Sequence, residues 1–185
     1  IGQRSKMEDS DDGTKGYTPG KKVGMDELAE LDKDDESLRK YKEALLGNTS
    51  DAYSPSDDPR RVVITELRVI FEDRPDGDVV YELDDQKKID EMKNKSFTLK
   101  EGCKYKTQVS FRVQHEIVSG LKFQNFIYKG PIKVDKSHEM LGSYGPKKEV
   151  YNVVNPRRGW ETAPSGALTR GKYKVKAAFI DDDKV

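Results

Sequence analysis

CKYKTQVSFRV, residues 103–113, alternates without a break. Cys103, Tyr105, Thr107, Val109, Phe111 and Val113 fall on one side, and Lys104, Lys106, Gln108, Ser110 and Arg112 on the other. A period of two with one charged side marks an antiparallel strand that covers a core and meets water on its back. A helix would scatter the same apolar residues around its whole cylinder.

The pattern extends in both directions. LRVIF puts Leu67, Val69 and Phe71 together, and VVYEL does the same with Val79, Tyr81 and Leu83. YKVKAAF sets Tyr173, Val175, Ala177 and Phe179 against Lys172, Lys174 and Lys176. Shorter candidates are Phe97–Leu99, Leu121–Tyr128, Ile132–Val134 and Val150–Val154. RPDG, KEG, VSG, YKGP, GSYGP, NPRRG, APSG and RGK read as the turns between them. Seven or eight short strands at this spacing predict an all-β antiparallel β-sandwich over residues 61–185.

Upstream the grammar changes. Residues 1–22 are polar, Gly-containing and aperiodic, the composition of a disordered tail. Residues 23–47 hold two short amphipathic patterns, GMDELAEL and LDKDDESLRKYKEALLG, which predict a helical arm. In the second, Asp32 or Asp34 is the expected N-cap, Asp35 and Glu36 place negative charge in the first turn, and Gly47 is the stop. Asp35–Arg39, Glu36–Lys40 and Arg39–Glu43 are i,i+4 pairs worth about 0.2–0.5 kcal/mol each. Leu31, Leu38, Tyr41, Leu45 and Leu46 make only a thin apolar stripe. So short a helix is marginal alone, and its stripe docks either on a partner or on its own chain. Residues 48–60, rich in Ser, Asp and Pro, read as a linker.

Charge is balanced overall but not locally. Residues 1–59 carry 9 basic and 15 acidic side chains (−6), which leaves 25 and 19 (+6) for the rest. The single cysteine, Cys103, excludes an internal disulfide, and a reducing, cytoplasmic setting is expected. No apolar run approaches the ~18 residues of a membrane helix. His115 and His138 lack metal-ligand spacing and read as solvated or loop residues. PGKKVG lacks the spacing of a phosphate loop, and Ser143 lacks the frame of a nucleophile elbow. The lysine-faced strands lack interleaved aromatics, so a solubilising outer face is expected rather than nucleic-acid binding. The residues contain no catalytic constellation, no metal set and no cofactor motif. They describe a non-enzymatic binding module.

LDKDDESLRKYKEALLG (31–47), SFTLKEG (96–102), VSFRVQHEIVSGLK (109–122), VDKSHEMLGSYGP (134–146), APSGALTRGKY (163–173) and FIDDDK (179–184) resemble, in order, the Rho GDP-dissociation inhibitor family. The resemblance implies an immunoglobulin-like sandwich behind a partly disordered arm. It implies a cytoplasmic inhibitor that binds GDP-bound, geranylgeranylated Rho, Rac and Cdc42-type GTPases, slows GDP release and extracts the client from membranes. Leu31, Asp35, Leu38, Tyr41, Leu45, Leu46, Asp182 and Asp183 would contact the GTPase. Leu67, Val69, Phe97, Tyr105, Ile117 and Leu168 would line a prenyl pocket between the sheets, and Asp135 and Glu149 would meet the client's polybasic tail. The prenyl lipid would arrive as part of the client, in a 1:1 heterodimer formed by a monomer, with a transient membrane encounter and no insertion. A chain of roughly 20 carbons at about 0.8 kcal/mol per CH₂ gives on the order of 10–15 kcal/mol for leaving water. The bilayer offers as much, so extraction needs an equally apolar pocket plus protein contacts.

The sequence departs from the family in three places. It stops at Val185, before the family's last Trp-bearing strand, which predicts a truncated sandwich with an open edge. Lys147 and Lys148 flank Glu149, and Gly24 stands where a regulatory serine is often found. The competing readings are a prenyl-lipid carrier without effect on nucleotide and an immunoglobulin-like interaction module.

Overall fold

The computed structural model describes residues 35–38, 40 and 53–181. From residue 62 onward it is two facing antiparallel sheets. The strands are β1 (Val62–Phe71), β2 (Val79–Glu82), β3 (Lys104–Val113), β4 (Val118–Lys129), β5 (Ile132–Tyr144), β6 (Tyr151–Asn155), β7 (Glu161–Thr162) and β8 (Lys174–Ile180). One sheet runs β2-β1-β3-β6, with β7 beside the start of β3, and the other runs β5-β4-β8. This is the antiparallel sandwich expected from the alternation.

β3 is the spine of the first sheet, and its odd-numbered side chains point inward as read. Val109, Phe111 and Val113 meet Val118, Leu121, Phe123 and Leu141 from the second sheet in one buried cluster. Aromatic rings seal it: Phe111 packs edge-on to Tyr144 at 4.9 Å and stacks on Tyr151 at 5.6 Å, and Phe123 stacks on Phe179 at 5.0 Å. β1 keeps to this core through a bulge. Val62 and Ile64 pack on it before the register shifts between Ile64 and Glu66, and Leu67 packs on it afterwards. One extra residue, Thr65, inverts the parity of the strand.

Four local expectations are corrected. Phe97–Leu99 is not a strand but part of an irregular segment, held by Phe97 against Phe71 and Tyr81, with ring centroids at 6.5 and 6.4 Å. VSG and the first three residues of GSYGP are not turns. They lie in β4 and β5, where the register shifts between Val118 and Leu121. Gly120 and Gly142 take φ of 61° and 127° there, which side chains resist. The turn from β3 to β4 is instead at 114–117, with His115 at φ 67°. β5 extends far beyond Ile132–Val134. Finally, α1 (Gln86–Met92) was not anticipated. It is a surface helix without a buried residue, capped by Asp85, which accepts the Lys88 N–H at 2.9 Å.

Among the described residues, no helix is long and apolar enough to cross a membrane.

Candidate functional site

The two ends of the sandwich differ. β3 runs from Tyr105 to Val113 over roughly 26 Å. At the Val113 end the inward side chains are sealed: Phe111, Val113 and Val118 are 0% exposed. At the Tyr105 end they are not. On β5 the residues on the Phe123 face are Glu139, Ser137 and Asp135, and they pass from half-buried to exposed. On β8, Phe179 is half-buried, Ala177 is exposed and Val175 is 57% exposed. Tyr105 and Thr107 are only half-buried opposite them. The inward faces are therefore sealed at one end of the sandwich and open to solvent at the other, where the exposure of these side chains marks a shallow cleft between the two sheets.

Three of the expected pocket residues, Val69, Tyr105 and Phe97, fall on the open half or its flank, and Leu67 stands at the boundary, opposite Val109 and packed on the sealed cluster. Val69 is 8% exposed, Leu67 and Tyr105 are half-buried, and Phe97 (39% exposed) covers the β1–β2 side. Leu168 stands at the rim on the 3₁₀ turn Ala167–Thr169, and it is 93% exposed. Burial, then a hydrogen bond to the Glu161 carboxylate, pushes the Tyr105 hydroxyl above its ordinary pKa, and Asp135 adds to the shift from across the cleft. Ile117 is elsewhere, in the β3–β4 turn at the closed end. Asp135 and Glu149 are separated in the same way: Asp135 lies at the open end of β5, and Glu149 follows its far end. Lys147, beside Glu149, sits 3.9 Å over the Tyr151 ring.

The chain enters from the arm at the closed end. The backbone of residues 53–61 is fastened there rather than hanging as a free tether. His115 N–H donates to the Tyr53 carbonyl at 3.0 Å, and Gln114 N–H donates to the Arg61 carbonyl at 2.8 Å. Gln114, 1% exposed, also donates its side-chain amide to the Arg60 carbonyl at 2.8 Å. His115 is a loop histidine, as read, but a bonded one. Its Nε2 is 2.6 Å from the Asp58 carbonyl, which can only accept, so Nε2 carries the proton; Nδ1 meets the Ser54 hydroxyl at 2.8 Å. Arg60 grips Asp58 through two hydrogen bonds and holds its carboxyl well below the usual carboxylate range. Arg61 joins this entrance to the end of β8, pairing with Glu116 at 2.8 Å and with Asp181.

The described part of the arm is a helical turn over 36–38 and 40. Its N-cap is neither Asp32 nor Asp34 but Asp35, whose Oδ1 accepts the N–H groups of Ser37 at 2.9 Å and Leu38 at 3.0 Å. Lys40 pairs with Glu36 at 2.8 Å, as the spacing predicts. Leu38 is 42% exposed, so much of its apolar surface is open. Leu31, Tyr41, Leu45, Leu46, Asp182 and Asp183 lie outside the described residues.

Two cavities have other linings. One of about 380 Å³ lies by Tyr144, Tyr151 and Arg157. The other, about 630 Å³, is a groove on the outer face of the first sheet between charges of both signs, among them Glu66, Arg68, Glu82 and Lys88. That face is less wet than the alternation suggested: Ser110 is 5% exposed and donates to Asn152 at 2.7 Å. No group of His, Cys, Asp and Glu fit to hold a metal occurs among the described residues.

Residues 2–185 match the family described as RHO protein GDP dissociation inhibitor. The Rho GDP-dissociation inhibitor 1 of Rattus norvegicus is 42% identical over 184 residues, covering 100% of this chain and 86% of its own. A Dictyostelium discoideum protein provisionally named rho GDP-dissociation inhibitor 1 is 50% identical over 167 residues, 90% of this chain and 83% of its own. The Rho GDP-dissociation inhibitor of Schizosaccharomyces pombe is 41% identical over 166 residues, 90% of this chain and 78% of its own.

Proposed function

Because the chain belongs to the Rho GDP-dissociation inhibitor family, we infer that it inhibits GDP release from Rho-family GTPases, and we propose that it does so by holding one prenylated client at two places. It is a regulator and performs no catalysis. The arm, residues 23–47, lies on the client's mobile nucleotide-side loops. Leu31, Leu38, Tyr41, Leu45 and Leu46 give it an apolar face, and Asp35 serves from the first turn. A loop held down cannot open, so GDP stays bound. Asp182 and Asp183, which follow Asp181 in the sequence, offer carboxylates to a client arginine.

The sandwich takes the geranylgeranyl chain. The observation that supports this reading is the asymmetry of the interior: a sealed core at one end, and at the other a cleft whose inward-facing side chains are exposed. Leu67, Val69, Phe97 and Tyr105 supply its first-sheet wall and Leu168 its rim. Asp135 lies at the mouth, where a basic tail leading to the lipid must pass. Hiding the chain there lets the GDP-bound client leave the membrane as a cytoplasmic 1:1 complex after a transient encounter.

The test follows release of labelled GDP from a geranylgeranylated Rho-family GTPase, with and without the full chain. Slowed release is expected, and Asp35→Ala with Tyr41→Ala should abolish the slowing while leaving binding of a geranylgeranylated peptide intact. Unaltered release with the wild-type chain would overturn the inhibitory reading and leave lipid carriage alone.

A further inference from the structure

The outer face of the second sheet carries charge of one sign. Cross-strand partners share a face, and those of the outward β4 residues Lys122, Gln124, Phe126 and Tyr128 are Met140, His138, Lys136 and Lys133 on β5, and Ile180, Ala178, Lys176 and Lys174 on β8. Five lysines and a histidine stand on this surface with no carboxylate among them. The acidic residues of β5 that flank them, Asp135 and Glu139, pair instead with Ile127 and Phe123 on the inward face. The face is also not bare of aromatics, as the lysine pattern alone suggested. Lys133 and Lys136 lie over Phe126 at 5.7 and 5.9 Å, and Lys176 lies over Tyr128 at 5.2 Å.

A second observation falls at the same end. Ile132 at the β4–β5 hairpin is 65% exposed, Val134 49%, Tyr173 43% and Leu168 93%. Lys129 ties them into one platform. Its ammonium donates to the Leu168 carbonyl at 2.6 Å and lies 5.4 Å from the Tyr173 ring. The turn and the hairpin tip are thus held side by side, directly at the mouth of the cleft. Exposed apolar side chains clustered at a tip and backed by lysines fit neither a solubilising face nor a purely electrostatic one.

We infer that this end of the second sheet is a docking surface for anionic bilayers, with Lys136, Lys174 and Lys176 meeting acidic headgroups while Ile132 and Leu168 reach the headgroup–acyl boundary. The inference rests on the proposed lipid-carrying role only for its purpose. Docking in this pose turns the open cleft toward the leaflet that holds the prenyl chain, so the lipid passes from bilayer to protein with little of it crossing water. Each lysine near an anionic surface strengthens binding about fivefold, and the attraction fades within a Debye length.

The experiment is co-sedimentation of the full chain with phosphatidylcholine vesicles and with vesicles holding 30 mol% phosphatidylserine. Binding to the second kind only, weakened by raised salt, is expected. Lys136→Glu with Lys174→Glu and Lys176→Glu should cut it at least about a hundredfold, and Ile132→Ser about three- to tenfold. Both variants should keep the wild-type circular dichroism and the wild-type slowing of GDP release from a detergent-solubilised prenylated GTPase. Three results would overturn the inference: equal sedimentation of the wild type with both vesicle types, wild-type binding by the triple variant, or equal competition by a single-stranded oligonucleotide of matched charge. A chain that sediments as expected but leaves GDP release unaltered would refute the inhibitory function and keep the docking surface.

Discussion

The closed and open ends of this sandwich are built from the same strands, and only one of them is a conventional core. At the closed end, Phe111, Val113, Val118 and Leu121 are at most 1% exposed, and three aromatic rings interlock around Phe111 and Tyr151. At the open end the same faces carry Val175, Ala177, Ser137 and Asp135 to solvent. Stability and function are thereby separated along the strand axis. A sandwich that filled its whole interior would gain apolar burial but leave no place for a lipid. One that left the whole interior open would not fold.

The separation is strongest where side-chain volume is removed. Phe111→Ala should destabilise the protein by about 3–5 kcal/mol, because it empties the centre of the sealed cluster. Val175→Ser, at an equally inward register position, should stay within about 0.5 kcal/mol because that position is already wet. Urea unfolding of the two variants measures the contrast directly, and equal losses would break it. Lipid binding should show the opposite ranking. Val69→Asp places a charge in the apolar wall and should weaken binding of a fluorescent geranylgeranylated peptide by roughly a hundredfold or more. Ile117→Ser, in the turn at the closed end, should weaken it less than about threefold. A large effect at Ile117 would mean that the cleft reaches the far end of the sandwich.

The same division decides what could be read in the sequence. β3 was legible because its inward side is apolar from Val109 to Val113 while its other side is charged or polar at every position from Lys104 to Arg112. β5 was not. From Lys133 to Glu139 it is bordered by solvent on the outer face and by the open cleft on the inner one, so Asp135, Ser137 and Glu139 are as polar as Lys133, Lys136 and His138. A strand with two wet faces has no period to detect. Gly120 and Gly142 misled for a related reason: glycine in the left-handed region is a turn signal until a bulge needs it. The helix Gln86–Met92 buries nothing, so it carries no amphipathic pattern. Its Asp85 cap and the Asp84–Lys88 and Lys87–Glu91 spacings were the available signs. As for the candidate site, alternation listed the inward residues but could not tell a filled space from an empty one. Only the change in burial along the strands distinguishes Phe111 from Tyr105.

The smallest expected effect sharpens the comparison at the level of single protons. Burial alone leads the raised pKa of Tyr144 at the closed end, whereas Tyr105 at the open end owes its shift to burial and then to the Glu161 and Asp135 carboxylates. Glu161→Gln should therefore lower the ionisation midpoint of Tyr105, followed by phenolate absorbance, and leave that of Tyr144 in place. Both phenols hold their protons more tightly in the folded chain than in the unfolded one. Their contribution to stability is complete below about pH 10 and is lost as the pH climbs beyond that value. The Gln variant should accordingly lose less stability than the wild type between neutral pH and that alkaline range. If Tyr105 titrates at the same pH with and without Glu161, water screens the carboxylate from the phenol, and the distinction between the two ends reduces to packing.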